Sequence, residues 1–152
     1  MVSLLLVFLT GCQSIKGQAD ASDHALVKAT MQKHLNAVSK KDLKALRSTL
    51  SPEGQMQLIL PGQEIIDTVA GFMDFHQTWF AQPDWTFETQ IINIEAGKQL
   101  AMAVVQIIYR EPMRDGKPYF NRMTVSYDLK KIGGQWYVIK DHASSVTKST
   151  DP

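Results

Sequence analysis

The chain has one cysteine, Cys12, among its 152 residues. An intrachain disulfide is therefore excluded. Charge of one sign is also not in excess, because 16 Lys and Arg residues oppose 15 Asp and Glu residues and leave a formal net charge of +1. The basic residues are scattered, so no nucleic-acid-binding surface is predicted. No apolar run reaches the roughly 20 residues that a membrane-spanning helix needs.

Motifs for metal and cofactor binding are missing too. None of the four histidines, which are His24, His34, His76 and His142, is spaced with a second ligand as a zinc-binding helix requires. There is no glycine-rich phosphate loop and no nucleophile elbow. We therefore expect no metal and no cofactor. What is present is a composition of 44% hydrophobic and 20% charged residues, typical of one soluble globular domain.

Cys12 follows a short apolar run, residues 4–9, and the small residues Thr10 and Gly11. The segment Leu-Thr-Gly-Cys at 9–12 resembles the bacterial lipobox. This resemblance implies that residues 1–11 are a lipoprotein signal peptide, that Cys12 is lipidated, and that 12–23 form a tether. The implied location is the bacterial cell envelope, with the membrane as a partner through Cys12. The alternative is an N-terminal helical turn packed on the domain.

Apolar periodicity predicts three helices in the first half of the chain. The first begins near Ser22 and carries His34 on an apolar stripe formed by Val27, Met31, Leu35 and Val38. A short second helix begins at Asp42, which can cap it. A short strand is predicted at 55–60 and a third helix at 64–80.

From Trp85 onward the apolar pattern has a period of two. It predicts four long strands over 86–95, 100–111, 119–131 and 135–143, joined by short turns, so neighbouring strands should be antiparallel. Helices first and strands last predict an α+β fold, with the three N-terminal helices packed on one curved, mostly antiparallel sheet. The domain is expected over 24–147, followed by a polar tail at 148–152.

This order of elements, the segment His-Gln-Thr-Trp-Phe at 76–80, and the closing segments Gly-Gln-Trp-Tyr-Val-Ile at 134–139 and Asp-His-Ala-Ser at 141–144 resemble the SnoaL-like group. That group belongs to the nuclear transport factor two superfamily, as does ketosteroid isomerase. The resemblance implies a cone whose internal, mostly apolar pocket opens at one end. It also implies a small apolar ligand and a homodimer formed through the outer face of the sheet.

The isomerase residues can be compared position by position. An ungapped match places His34 at the oxyanion-stabilising tyrosine and Leu58 at the proton-abstracting aspartate, while Ser126 or Tyr127 falls at the second acid. A leucine side chain cannot accept a proton, so the isomerase mechanism is not supported and no complete catalytic set is found. Whether the protein is an enzyme stays open at this point.

The strand pattern and the resemblance together predict the site. Its pocket residues are His34, Tyr109, Asn121, Met123, Tyr127 and His142, and its rim residues are His76, Trp79 and Trp85. Since consecutive strand residues point to opposite faces, only one of Asp141 and His142 can face the pocket, and we expect His142. Three functions remain: a binding protein for an apolar ligand, an isomerase, cyclase or dehydratase using His34 and His142 as acid–base groups, and a non-catalytic envelope adaptor. His34 fits a satisfied core histidine equally well.

Overall fold

The computed structural model describes residues 21–152. The elements, in chain order, are α1 (Ala21–Ser39), α2 (Leu43–Arg47), β1 (Gln57–Ile59), β2 (Ile65–Asp67), α3 (Val69–Phe80), β3 (Thr86–Ala96), β4 (Leu100–Arg114), β5 (Lys117–Ile132) and β6 (Gln135–Lys148). Cys12, the predicted signal peptide and most of the predicted tether lie outside the described residues. The last three tether residues, 21–23, belong to α1.

One six-stranded sheet has the order β2-β1-β6-β5-β4-β3. All neighbours are antiparallel except β1 and β6, which are parallel. Helix α1 packs against both β3 and β6, although β4 and β5 separate these strands within the sheet. The sheet therefore curves around α1. The predicted α+β fold, with helices on the concave side of a mostly antiparallel sheet, is confirmed.

Helix α1 supplies the centre of the core. The four residues of its predicted stripe, Val27, Met31, Leu35 and Val38, are all at most 3% exposed. The start of the helix is fixed to the β5–β6 hairpin through Asp23, which accepts hydrogen bonds from Lys131 Nζ at 2.6 Å and from Trp136 Nε1 at 3.1 Å. The Lys131 contact is the main cause of the lowered pKa of Asp23. None of the helices within residues 21–152 has the length and hydropathy of a membrane span.

The predicted third helix starts later than expected. Residues 65–67 form β2, which pairs with β1, and α3 begins only at Val69. The break occurs at Thr68, whose φ of 74° lies outside the helical region and whose hydroxyl oxygen accepts a hydrogen bond from the Gly71 N–H at 3.2 Å. This side chain caps the helix and separates it from the strand. The prediction of a helix from residue 64 is therefore wrong in its first turn.

Strand β6 contains an extra residue that breaks the alternation of its two faces. Leu129 pairs with Val138, but the preceding residue Asp128 pairs with Lys140, so Ile139 has no partner on β5. Such a β-bulge shifts the side-chain alternation by one position. Val138 and Asp141 are both buried, although an unbroken strand would place them on opposite faces. Strands β5 and β6 also extend beyond the predicted 119–131 and 135–143.

The bulge overturns the prediction for His142. Its side chain is exposed on the convex face, while Asp141 is only 9% exposed and points into the cone. On an unbroken strand, the face shared by Trp136 and Val138 would continue to His142. Because Ile139 is inserted, Asp141 rather than His142 lies on the same face as Trp136 and Val138.

Candidate ligand-binding site

A small cavity lies on the concave side of the sheet, and we call it the inner cavity. Its volume is about 80 Å³. Helices α1 and α3, the short strand β1 and the four long strands each supply lining residues. These residues are Val38, Leu58, Phe75, His76, Trp79, Phe87, Ile107, Met123, Val125, Tyr127, Asp141 and Ala143.

A larger cleft of about 410 Å³ adjoins the inner cavity, and we call it the outer cleft. The two share four lining residues, Phe75, Trp79, Phe87 and Met123. The remaining residues of the outer cleft are Pro61, Thr78, Gln82, Tyr109, Glu111, Arg114, Tyr119 and Asn121. Since the cleft contains the last residues of β4, it forms the mouth of the cone.

Asp141 is the one carboxyl group that lines the inner cavity. Burial raises its pKa to about 7, and neither a hydrogen bond nor a neighbouring charge among the described residues contributes to the shift. A carboxyl group with this pKa is partly protonated and partly ionised near neutral pH. It can therefore accept or release a proton there. The sequence pattern favoured the opposite orientation of β6, which would have turned this carboxyl group away from the cone.

Tyr127 lies directly opposite Asp141 on β5 and lines the same cavity. Its pKa is raised well above the usual value, first by burial and then by the charge of Asp141. The phenol therefore keeps its proton at any physiological pH. As predicted from strand alternation, Tyr127 faces the cone, where it can donate one hydrogen bond.

His76 lies in the wall of the inner cavity rather than at the rim. Its Nδ1 is 2.8 Å from the carbonyl oxygen of Phe72. Because a carbonyl can only accept, Nδ1 carries the hydrogen, and the neutral ring presents Nε2 as an acceptor. Burial lowers the pKa of His76 to about 4, so the ring is neutral at physiological pH.

His34 is fully buried and lines neither cavity. The Thr49 hydroxyl donates its only hydrogen to Leu46 O at 2.7 Å, so its contact of 2.8 Å with His34 Nδ1 must be a bond donated by the imidazole. Burial, followed by the proximity of His76, lowers the pKa of His34 to about 3. Its ring centroid is 5.5 Å from that of Tyr127. His34 therefore supports Tyr127 from within the core.

The predicted pair of His34 and His142 is not brought together. His34 is in the core on the concave side, and His142 is exposed on the convex face. Neither residue contacts a cavity of the cone, so the structure does not support an acid–base pair formed by them. In the inner cavity, sequence reasoning turned Asp141 away from the pocket and placed His76 only at its rim.

The other predicted residues lie around the mouth. Tyr109 and Asn121 line the outer cleft, while Met123 and Trp79 line both cavities. Trp85 lines neither, but its ring stacks on Trp79 with centroids 4.4 Å apart. Trp85 therefore holds Trp79 in place. Among the described residues, the Asn121 Oδ1 atom is buried without a hydrogen-bond donor.

Glu111 connects the polar groups of the mouth. It accepts a hydrogen bond of 2.5 Å from the Tyr109 hydroxyl and two hydrogen bonds from the Arg114 guanidinium. Arg114 in turn lies over the ring of Tyr119, with its Cζ 3.5 Å from the ring centroid. Because Glu111 neutralises Arg114, this cluster carries no net charge. Within residues 21–152, no group of three or more potential metal ligands is found.

A cone-shaped α+β domain with an apolar pocket on its concave side is the class of protein that the fold and site define. The sequence profile of the SnoaL-like domain matches residues 27–148. The chain therefore belongs to the SnoaL-like domain family. A comparison with curated protein sequences found no match.

Solved structures share the fold at low sequence identity. A candidate dehydratase of the NTF2-like family from Streptomyces avermitilis has a TM-score of 0.72 and 15% identity, with 84% of this chain and 99% of that chain covered. A ketosteroid isomerase-like protein from Erwinia carotovora atroseptica has a TM-score of 0.70 and 14% identity, covering 84% and 99%. A nuclear transport factor 2 superfamily protein from Salmonella enterica has a TM-score of 0.71 and 14% identity, covering 86% and 96%.

Proposed function

We propose that the protein binds a small, largely apolar ligand, with its head group in the inner cavity and its body in the outer cleft. The observation that carries this proposal is that the two spaces share four lining residues, three of them aromatic. The inner cavity of about 80 Å³ has room for only about three water volumes, each of which is about 30 Å³. The outer cleft of about 410 Å³ is in the usual range of ligand pockets, which is about 300–1,000 Å³.

The chemistry of the walls supports an apolar ligand body. Phe75, Trp79 and Phe87 contribute large aromatic surfaces at the junction of the two cavities. Burying such surfaces against a ligand is favourable because apolar area is removed from water. At the inner end, Asp141 and Tyr127 can fix the orientation of a head group.

A cavity-filling variant tests this proposal. Ala143→Leu adds apolar volume to the inner cavity without removing a polar group, while Ser144→Leu adds the same group to the exposed face of the same strand. Native mass spectrometry of protein purified from its own host should show a retained ligand in the wild type and in Ser144→Leu. We expect Ala143→Leu to lose it. Equal retention by all three proteins would contradict binding in the inner cavity.

Asp141 favours a second candidate function, an enzyme of isomerase, cyclase or dehydratase type. General acid–base catalysis is most efficient when the pKa of the catalytic group is near the working pH. The pKa of about 7 at Asp141 meets this condition, and Tyr127 opposite can donate a hydrogen bond to a substrate oxygen. In this function Asp141 replaces the pair of His34 and His142. An Asp141→Asn variant that turns over a retained substrate at the wild-type rate would exclude the enzyme hypothesis.

We also propose that the domain is anchored in the bacterial cell envelope by lipidation of Cys12. The support is the Leu-Thr-Gly-Cys segment at 9–12. The first described helix begins at Ala21, so eight residues, 13–20, would link the lipidated cysteine to the domain. A linker of this length keeps the domain close to the membrane surface, since an extended chain spans about 3.5 Å per residue.

The convex face of the sheet supports a homodimer. Leu100 is 61% exposed and Met102 is 40% exposed, and with Ile139 they line a groove of about 500 Å³ on that face. Exposed apolar side chains that cluster in this way are typical of interaction surfaces. If Met102→Lys runs as a monomer and the wild type as a dimer in sedimentation experiments, the homodimer is supported. A wild-type monomer would favour the adaptor alternative, in which the groove binds another protein.

A further inference from the structure

We propose that the ligand of the cone is an organic amine, held as an ammonium ion against the Asp141 carboxylate. This inference rests on the proposed ligand-binding function and adds the chemical class of the head group. It follows from the hydrogen-bonding groups and the charges that line the inner cavity. The cavity presents hydrogen-bond acceptors and aromatic faces, while its twelve lining residues include no Lys or Arg.

One polar side chain of the inner cavity, His76, is fixed as an acceptor, and Asp141 becomes one when it is ionised. The Nδ1–H of His76 is committed to Phe72 O, which leaves Nε2 with its lone pair. Asp141, when ionised, offers two oxygens and no hydrogen. Tyr127 can donate one hydrogen bond, and the indole N–H of Trp79 is a second donor among the lining residues. A ligand head group that carries several N–H donors therefore satisfies this site better than one that carries only acceptors.

A buried carboxylate is costly unless a positive charge is close to it. The groups that face Asp141 from the packed elements are Tyr127 of β5 and His76 of α3, and behind Tyr127 lies His34 of α1. Both histidines are neutral at physiological pH because burial lowers their pKa values, and the phenol keeps its proton. Strands β1, β3 and β4 contribute only apolar side chains to the lining. The ligand is thus the available source of a counter-charge.

The aromatic walls suit a cation as well as an apolar body. An ammonium group is attracted to the face of an aromatic ring within about 6 Å of its centroid. Phe75, Trp79 and Phe87 meet at the entrance to the inner cavity, and Trp85 stacks behind Trp79. The only basic residue of the outer cleft, Arg114, is paired with Glu111 and so does not repel an entering cation.

The sizes of the two spaces define the rest of the ligand. The inner cavity, with a volume of about 80 Å³, admits an ammonium group on a short chain. The outer cleft accommodates the apolar body of the ligand. The rival is a ligand whose carbonyl oxygen accepts a hydrogen bond from protonated Asp141.

Three probes with the same phenyl body separate these possibilities: 2-phenylethylammonium, 2-phenylethanol and phenylacetate. Titration calorimetry on the purified protein at pH 8 should show about tenfold or tighter binding of the ammonium than of the alcohol, the scale of a fully formed charged contact. Phenylacetate should not bind measurably. Asp141→Asn should lose the preference for the ammonium, and Asp115→Asn, on the exposed β4–β5 turn, should keep it.

The pH dependence of ligand affinity is an independent test, because its slope has opposite signs for an ammonium and for a carbonyl ligand. The ammonium binds ionised Asp141, whose pKa in the free protein is about 7, so its affinity should rise about tenfold between pH 6 and pH 8. A carbonyl ligand held by the protonated acid would show the opposite slope. If the alcohol or phenylacetate binds as tightly as the ammonium, the amine proposal is overturned, while ligand binding in the cone stands. If none of the probes binds, the amine proposal is also overturned, and the retention test with Ala143→Leu decides the proposed function separately.

Discussion

Tyr127 and Asp141 are directly opposite each other on β5 and β6, and both side chains line the inner cavity. A phenol and a carboxyl therefore lie at the same depth of the cone. This arrangement exists because Ile139 is bulged out of the pairing and shifts the remainder of β6 by one position.

Asp141→Asn should stabilise the protein at high pH. In the unfolded chain this carboxyl group titrates at its ordinary pKa of 3.8, and in the folded protein near 7. Between these values the folded state binds the extra proton, so the stability of the wild type falls as pH rises. Above pH 7 the buried, ionised carboxylate lowers the free energy of unfolding by at most about 4 kcal/mol. Urea unfolding should give the same stability for variant and wild type near pH 4, and a more stable variant at pH 8.

The matched control for this experiment is Asp115→Asn. Asp115 is exposed in the turn between β4 and β5, and it adopts a φ of 53° that asparagine tolerates. The control should follow the wild-type profile at each pH. Parallel profiles of the wild type and Asp141→Asn from pH 4 to pH 8 would contradict a buried, unpaired carboxyl group at this position.

His34→Leu should reduce the sensitivity of the fold to acid. Burial lowers the pKa of His34 to about 3, below the unfolded value of 6.5, so the unfolded state binds the extra proton between these values. Stability is therefore lost as pH falls below 6.5, by about 3 kcal/mol at pH 4.5. The variant loses one hydrogen bond, worth about 1 kcal/mol. We expect it to be less stable than the wild type at pH 7.5 and more stable at pH 4.5.

Thr49→Val separates the hydrogen bond from the titration of the imidazole. It removes the hydroxyl that accepts from His34 Nδ1 but keeps the buried ring. This variant should be less stable than the wild type at both pH values, because the imidazole still has to be protonated on unfolding. A crossover in its pH profile like that of His34→Leu would show that the acid sensitivity does not come from His34.

Thiol labelling tests the bulge in β6. In a Cys12→Ala background, which leaves no other cysteine, His142→Cys and Ala143→Cys each introduce one thiol. Because His142 is on the exposed face and Ala143 lines the inner cavity, the thiol at 142 should react about tenfold faster or more. The opposite order would mean that the strand alternates without interruption and that His142 faces the cone.

Cys12→Ala tests the lipid anchor. If Cys12 is lipidated, the variant should accumulate as an unprocessed precursor and leave the membrane fraction of its host. Ser14→Ala, just beyond the Leu-Thr-Gly-Cys segment, is the control and should be processed and fractionate normally. Intact-protein mass spectrometry measures both the processing and the attached lipid. A Cys12→Ala protein that is cut and membrane-bound like the wild type would leave the signal-peptide interpretation without support.

Local patterns were sufficient for most of the architecture. The stripe from Val27 to Val38 indicated α1, and the period of two after Trp85 indicated the four long strands, because these repeats follow directly from helix and strand geometry. The resemblance to the SnoaL-like group then predicted the cone. The start of α3 was missed because a capping side chain, Thr68, ends β2 without any change in hydrophobicity.

The site was predicted only in part. Asn121, Met123 and Tyr127 line the two cavities from the face that strand alternation indicated, and Tyr109 lines the outer cleft at the end of β4. Asp141 and His142 were exchanged, because the bulge at Ile139 depends on the register with β5, which no run of residues within β6 reveals. The role of His34 depends on Thr49 and Leu46, which meet it only after α2 packs against α1.

The sequence by itself determined the three helices, the four long strands and their order, since these depend on the spacing of side chains along the chain. Tertiary structure alone decided which polar group lies inside the cone. That choice depends on strand register and on burial, which also raises the pKa of Asp141 to about 7. Both arise only when residues distant in sequence enclose the same small space.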